Sequence, residues 1–126
     1  MKKYLSIFIL VPAVFAALAL AAGTAETDAS GKFNIKILYA GLPKTDRAKD
    51  FMDFLGKHFK EVTFTDYNSF DEKESTDFDV LIIDHDGKEF DAPTPKISRQ
   101  YSRATVTMGV PGADISSRLK LKTAYL

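Results

Sequence analysis

The chain has 126 residues, of which 45% are hydrophobic and 27% are charged, so its composition predicts one globular domain and excludes a disordered chain. Its 17 basic and 17 acidic residues balance, which excludes the strongly basic surface expected of a nucleic-acid-binding protein. It has no cysteine, which excludes disulfides, thiolate metal sites and cysteine nucleophiles.

The first 25 residues have the pattern of a secretory signal peptide. Lys2 and Lys3 precede an uncharged, apolar segment over residues 4–22, and small residues follow in the order that a signal peptidase accepts. The alternative is an uncleaved membrane anchor, because the apolar segment is close to the ~20 residues that a membrane helix needs. Both interpretations predict that the folded part lies outside the cytoplasm, in the periplasm or secreted.

The folded part is predicted to be one α/β domain over residues 33–126, preceded by a flexible, polar lead-in at residues 26–32. Residues 33–40 alternate and end apolar, which predicts strand one. Helix one is expected to start near Thr45, with the acidic Asp46 in its first turn. Its apolar residues recur at helical spacing and form one face. That face comprises Ala48, Phe51, Met52, Leu55 and Phe59.

Two further strands are predicted, with a short helix between them. Residues 62–65 are rich in β-branched side chains, which predicts strand two. Ser69 followed by Glu72 has the spacing of a capping box, which predicts the start of the short helix. Residues 80–83 are four consecutive aliphatic residues that polar residues then stop. Such a run predicts strand three, at the centre of a parallel sheet that is covered on both faces.

The C-terminal part predicts two more strands with a helix between them. Residues 105–110 predict strand four, and Pro111 suits the first turn of a helix that continues to Leu121. Ile115 and Leu119 are expected to face inward from this helix. Residues 123–126 predict strand five.

This order of elements predicts an α/β fold with a doubly wound, parallel, five-stranded sheet. The expected strand order is 2-1-3-4-5. Domains of this type end with a helix that covers the second face of the sheet, whereas residues 123–126 predict a strand. The sequence therefore predicts a sheet without its final covering helix.

The best candidate site follows strand three, because ligands of open α/β sheets bind beyond the carboxyl ends of the strands. Asp84, His85 and Asp86 lie at that end. The two carboxylates are candidate metal ligands, or with the imidazole they are a candidate acid and base acting on a water. Alternation along an extended segment predicts that Asp84 and Asp86 point one way and His85 the other. The competing interpretation is that all three are ordinary turn residues.

Two turns complete the predicted crevice. Gly41, Lys44 and Thr45 lead into helix one, where free N–H groups favour anions, although neither nucleotide-binding glycine motif is present. Gly109 and Gly112 form the turn after strand four, which lacks the serine or cysteine of a nucleophile elbow. No catalytic nucleophile is therefore assigned.

Three arginines have weaker assignments. Arg47, in helix one, is with Lys44 a candidate to bind a carboxylate or phosphate, although an ordinary surface charge is favoured because such residues are mostly exposed. Arg99 and Arg103 precede strand four and are candidates to close over a ligand or to pair with the carboxylates after strand three. For Arg103 a structural role is favoured, because it lies at the opposite end of the sheet.

Strand three (Phe78–Asp84) and the glycine turn at residues 108–112 together resemble the front part of a class I glutamine amidotransferase-like domain. The trehalose-utilisation-like branch is the nearest comparison, and the resemblance covers residues 35–126. It implies a flavodoxin-like α/β fold and a sugar-related ligand. Members with a cysteine nucleophile carry it in the turn after strand four, and this chain has no cysteine, so that activity is not implied.

These observations predict an exported, non-catalytic domain, without a cofactor, that binds a small polar ligand or a protein partner at the crevice. One alternative is a metal-assisted or acid/base hydrolase of carbohydrate or ester substrates, with Asp84 and Asp86 central and His85 assisting. Another is an interaction module that pairs through its exposed last strand with another chain, including a second copy.

Overall fold

The computed structural model describes residues 27–87 and 93–121. The elements are β1 (Phe33–Gly41), α1 (Asp46–His58), β2 (Phe59–Asp66), a 3-10 helix (Glu72–Asp77), β3 (Val80–His85), β4 (Thr105–Gly109) and α2 (Val110–Arg118). The predicted signal peptide at residues 1–25 and the predicted fifth strand at residues 123–126 lie outside the described residues. Residues 27–32 form a hydrogen-bonded turn in which Asp28 accepts from the backbone N–H groups of Ser30 and Lys32.

The three pairs of neighbouring strands that the structure describes are parallel, and the sheet has the order β2-β1-β3-β4. This confirms the predicted α/β class and the parallel sheet. Within residues 27–87 and 93–121 the sheet has four strands, not five. None of the helices in these two ranges is long and apolar enough to cross a lipid bilayer.

α1 begins where its sequence predicts. The Thr45 side chain accepts a hydrogen bond from the Ala48 N–H at 3.1 Å and so caps the helix. Phe59, predicted to belong to the helical face, is instead the first residue of β2. Its backbone is extended and it pairs with Phe33 of β1. Strand pairing therefore ends the helix at His58, one residue before Phe59, the last residue of the predicted apolar face.

The short helix starts later than predicted. Its capping box is formed by Asp71 and Glu74, and not by Ser69 and Glu72. The Asp71 carboxylate accepts from the Lys73 N–H at 3.0 Å, and the Glu74 carboxylate accepts from the Asp71 N–H at 2.9 Å. The Ser69 hydroxyl is engaged in the preceding turn, where it donates to the Asp66 carbonyl at 3.3 Å. Ser69 with Glu72 and Asp71 with Glu74 both have the capping-box spacing. Only the second pair forms the box, because the preceding turn engages Ser69.

α2 also differs from its predicted bounds. It starts at Val110, has Pro111 in its first turn as predicted, and ends at Arg118. Ile115 is buried at 8% exposure, as predicted. Leu119 was predicted to face inward, but it follows the end of the helix and is 37% exposed.

Two apolar clusters lie on opposite sides of the sheet, so the central strands β1 and β3 are buried on both faces, as the aliphatic run predicts. The α1 side contains Ile37, Tyr39, Ala48, Leu55 and Ile82. The α2 side contains Leu38, Ala40, Tyr67, Phe70, Leu81, Ile83 and Ile115.

One part of the sheet lacks a covering helix. α1 packs on β1 and β2, whereas α2 packs on β3 and β4 from the other side. No helix of the described ranges packs over β4 on the α1 side, and Val106 of β4, in register with the buried Ile82, is 48% exposed there. We call this surface the uncovered strip. It comprises the exposed Val106 and, beside it, the partly buried Val80 and Met108.

Candidate functional site

Asp84, at the carboxyl end of β3, is the centre of a buried polar group on the α1 side. Its side chain is 2% exposed. Arg47 binds it with two hydrogen bonds, from Nε to Oδ2 at 2.7 Å and from Nη2 to Oδ1 at 2.8 Å. The Tyr39 hydroxyl donates a third hydrogen bond to Oδ2 at 2.7 Å. Both carboxylate oxygens are therefore engaged by strong, charge-assisted donors.

The neighbouring residues explain how these three side chains meet. A side chain at Gly41 would have its Cβ 2.5 Å from the Tyr39 ring, so glycine is needed for the ring to lie where it reaches Asp84. Phe51 stacks on the Tyr39 ring with centroids 5.7 Å apart. The Arg47 guanidinium lies 5.4 Å from the centroid of the same Phe51 ring, close enough for a cation–π contact. Phe51 thus packs against both Tyr39 and Arg47, the two side chains that donate hydrogen bonds to Asp84.

The electrostatics of the group favour a charged pair with a neutral tyrosine. The hydrogen bond to Asp84 raises the pKa of Arg47, and the negative charges of Asp84 and Asp86 add to this effect. Burial raises the pKa of Tyr39 well above its ordinary value of 10.0, and the hydrogen bond to Asp84 raises it further. On the other side of the sheet, burial raises the pKa of Tyr67 to about 12, with a smaller contribution from Asp114.

These two tyrosines predict a loss of stability at alkaline pH. Because the folded state holds each phenolic proton more tightly than the unfolded chain, their contribution is complete below the ordinary pKa of 10.0 and is lost as pH rises through the folded pKa. Above pH 10, each tyrosine is expected to lower the free energy of unfolding by up to ~1.4 kcal/mol per pH unit. Urea unfolding between pH 7 and 12 measures this, and Tyr39→Phe should give a shallower decline. An unchanged urea midpoint across that range would contradict it.

His85 points to the opposite side of the sheet, as alternation along the strand predicts. Its ring packs against Tyr67 with centroids 4.9 Å apart, and its Nδ1 accepts from the Gly87 N–H at 3.0 Å. The same Nδ1 is 4.0 Å from Asp86 Oδ1. The imidazole therefore lies with the α2-side cluster and makes no contact with the carboxylate of Asp84.

The turn after β1 contributes structure more than free functional groups. Thr45 caps α1 and also donates its hydroxyl to the Leu42 carbonyl at 3.0 Å. Lys44 is exposed and has a positive φ of 61°. Of the residues predicted for this turn, Lys44 alone presents an uncommitted side chain to solvent.

The glycine turn after β4 allows the backbones to approach closely. Gly109 has a φ of 74°, and a Cβ there would lie 2.0 Å from the His85 carbonyl oxygen. A Cβ at Gly112 would lie 3.0 Å from Thr107 Oγ1. The turn after β4 therefore meets the end of β3 only because Gly109 has no side chain. Beside it, a cavity of about 280 Å³ opens between Tyr67 and the first turns of α2.

The structure brings only some of the predicted residues together. Among residues 27–87 and 93–121 there is no group of three or more His, Cys, Asp or Glu side chains placed to hold a metal ion. Arg103 donates to the Phe78 carbonyl at 3.2 Å, which is the structural role favoured for it. The partner of Asp84 is Arg47, for which an ordinary surface charge was favoured over the binding of a carboxylate or phosphate. Its side chain is 45% exposed, yet it binds a carboxylate, that of Asp84.

Sequence reasoning did not connect Arg47 with Asp84, and it missed Tyr39. A usable signal existed for each, since Arg47 lies in the first turn of the helix after strand one, at the sheet end where Asp84 also lies. Tyr39 carries a hydroxyl inside a buried run, and such a hydroxyl requires a partner.

Comparison with models of protein families, with curated proteins and with solved structures finds no match to this chain.

Proposed function

We propose that this chain is a non-catalytic binding domain that takes a small polar ligand at the carboxyl end of the sheet, between β1 and β3, with Arg47 as its anchor. The supporting observation is that Asp84 orients Arg47 through two hydrogen bonds while the arginine side chain stays 45% exposed. A guanidinium has five N–H donors, and three of them have no hydrogen-bond partner among the described residues. A fixed, partly exposed donor array suits a ligand with oxygen acceptors.

The charges near Arg47 favour a neutral ligand over a highly charged anion. Asp84 neutralises the guanidinium, and the charge of Asp86 also acts on it. An oxygen-rich neutral molecule can accept from the free N–H groups without this repulsion. The Phe51 ring beside the guanidinium adds an apolar surface. A polyhydroxylated, sugar-like molecule combines these properties, in agreement with the ligand that the family resemblance implies.

The hydrolase alternative has less support from the same contacts. A carboxylate that is buried and bound by an arginine and a tyrosine is poorly placed to take a proton from water. Asp86 and His85 would have to act without Asp84, and His85 Nδ1 lies 4.0 Å from Asp86 Oδ1, beyond hydrogen-bond distance.

Thermal-shift measurements test the proposal, with neutral sugars, phosphate, carboxylates and divalent metals as ligands. We expect a neutral sugar to raise the melting temperature of the wild type and of Arg99→Gln, a matched exposed arginine, but not of Arg47→Gln. Each variant is compared with its own unliganded protein, so a lower starting stability does not affect the comparison.

Two outcomes would count against the proposed function. If none of these ligands shifts the wild type, the binding proposal fails. If a divalent metal gives a shift that Asp86→Asn abolishes and Arg47→Gln retains, the hydrolase alternative is favoured instead.

We further propose that residues 123–126 form a fifth strand beside β4, which gives the order 2-1-3-4-5 and the flavodoxin-like arrangement of the glutamine amidotransferase-like superfamily. Two features support this. The outer edge of β4 has no strand partner among the described residues. The chain also turns after α2, where Lys120 has a φ of 55°. The alternative use of the outer edge of β4 is pairing with a strand of another chain, because strand addition requires an exposed edge.

We also propose that the domain acts outside the cytoplasm. The support is the order of basic, apolar and small residues in the first 25 positions, which is typical of a secretory signal peptide.

A further inference from the structure

We infer that the uncovered strip and the adjoining side of α1 form an interface between two copies of this chain, related by a two-fold axis. This goes beyond the proposed ligand site, because it concerns the association of two chains and extends to β4 and to the end of α1. A parallel sheet normally has both faces covered. Among the described residues no helix packs over β4 on the α1 side, where Val106 is 48% exposed.

The side of α1 that borders the strip adds to the apolar surface. Phe54 is 55% exposed, with the His58 ring packed against it at 4.8 Å. An open groove of about 450 Å³ runs along this side of the helix and is lined by Arg47, Asp50, Phe51 and Phe54. Exposed aromatic and aliphatic residues that adjoin each other in this way are typical of protein interfaces rather than of free surface.

The charges on this side of α1 favour a second copy as the occupant. Asp50 and Lys57 are seven positions, or about two helical turns, apart and so share one side of the helix, with Phe54 between them. A two-fold axis brings residue i of one copy to residue j of the other, and j to i. Two antiparallel α1 helices that cross at Phe54 therefore place Asp50 of each copy beside Lys57 of the other.

The chain as a whole does not oppose this association. Without the predicted signal peptide, which contains Lys2 and Lys3, 15 basic and 17 acidic residues remain, so two copies approach with little net repulsion. Arg47 lines the same groove as Phe54, so the interface adjoins the ligand site. The two proposals are still tested separately, because the oligomeric state reports on the interface and the ligand-induced thermal shift reports on the ligand site.

Sedimentation velocity over a range of concentrations tests the interface. The chain is used as it is purified, with its first residue determined by mass spectrometry. We expect a reversible dimer. Val106→Asp should give a monomer, whereas Thr63→Asp, at an exposed position of β2, should remain a dimer. A wild type that is monomeric at every soluble concentration would overturn the proposal.

A charge exchange tests the two-fold arrangement without touching the core. Asp50→Lys and Lys57→Asp should each raise the dimer dissociation constant at least about tenfold, because each places like charges together. The double variant should restore it to within a factor of about three of the wild type, because the pair is remade with reversed sign. If the double variant dissociates as readily as the single variants, the antiparallel pairing of α1 is wrong.

Discussion

Replacing Asp84 by alanine is expected to lower the free energy of unfolding by about 2–3 kcal/mol. The substitution removes the acceptor of the Tyr39 hydroxyl, which stays buried, and it separates the ion pair with Arg47. Breaking a fully buried pair costs about 3–5 kcal/mol. The expected loss is smaller because the Arg47 side chain is 45% exposed and water can solvate it.

Urea unfolding followed by far-ultraviolet circular dichroism measures this loss as a lower midpoint with an unchanged slope. Tyr39→Phe removes a single hydrogen bond from the same group and should cost about 1 kcal/mol. Asp77→Ala is the control, because Asp77 is exposed, and it should change stability by less than about 0.5 kcal/mol. Equal midpoints for Asp84→Ala and Asp77→Ala would show that the buried group does not stabilise the fold.

The substitution Gly109→Ala is expected to lower the free energy of unfolding by about 3 kcal/mol or more. Two costs add at this position. Gly109 has a φ of 74° and a ψ of −147°, a conformation that is essentially restricted to glycine. A Cβ would also lie 2.0 Å from the His85 carbonyl oxygen, so the end of β3 and the start of α2 would have to move apart.

Gly56→Ala provides a matched control with the opposite sign. Gly56 lies inside α1, and a Cβ there meets nothing within 4 Å. Alanine should therefore stabilise the protein by about 0.5–1 kcal/mol through its higher helix propensity. The two variants add the same methyl group, and their urea midpoints should move in opposite directions. A Gly109→Ala midpoint equal to that of the wild type would contradict the close approach of the two backbones.

The sequence predicts the parts of this fold that depend on local chemistry. The aliphatic run at residues 80–83 and the Thr45 cap both specify their structure within a few positions, and both predictions agree with the structure. Boundaries that depend on distant partners were less accurate. Phe59 fits the apolar face of α1 by spacing, yet it belongs to β2 because Phe33 of β1 is available to pair with it.

The polar group around Asp84 illustrates a second limit. The sequence predicts that Asp84 lies at the carboxyl end of its strand. It does not predict that Arg47 is the partner of Asp84. Arg47 reaches it because of the rotation of α1 about its axis and the register of β1 on β3, which pairs Tyr39 with Ile82. Neither quantity is encoded in residue spacing along one element. Both arise from packing between elements.

The parallel order of the sheet also determines when it can form. Each pairing joins distant parts of the chain, since Leu81 pairs with Thr105, 24 positions later, and Ile37 pairs with Val80, 43 positions later. β1 lies between two partners that are both synthesised after it. Because no pair of the described strands is a local hairpin, loop closure precedes sheet formation and folding is slow for a chain of this length. During synthesis β1 can pair with β2 first, and its other edge stays unpaired until β3 has been made.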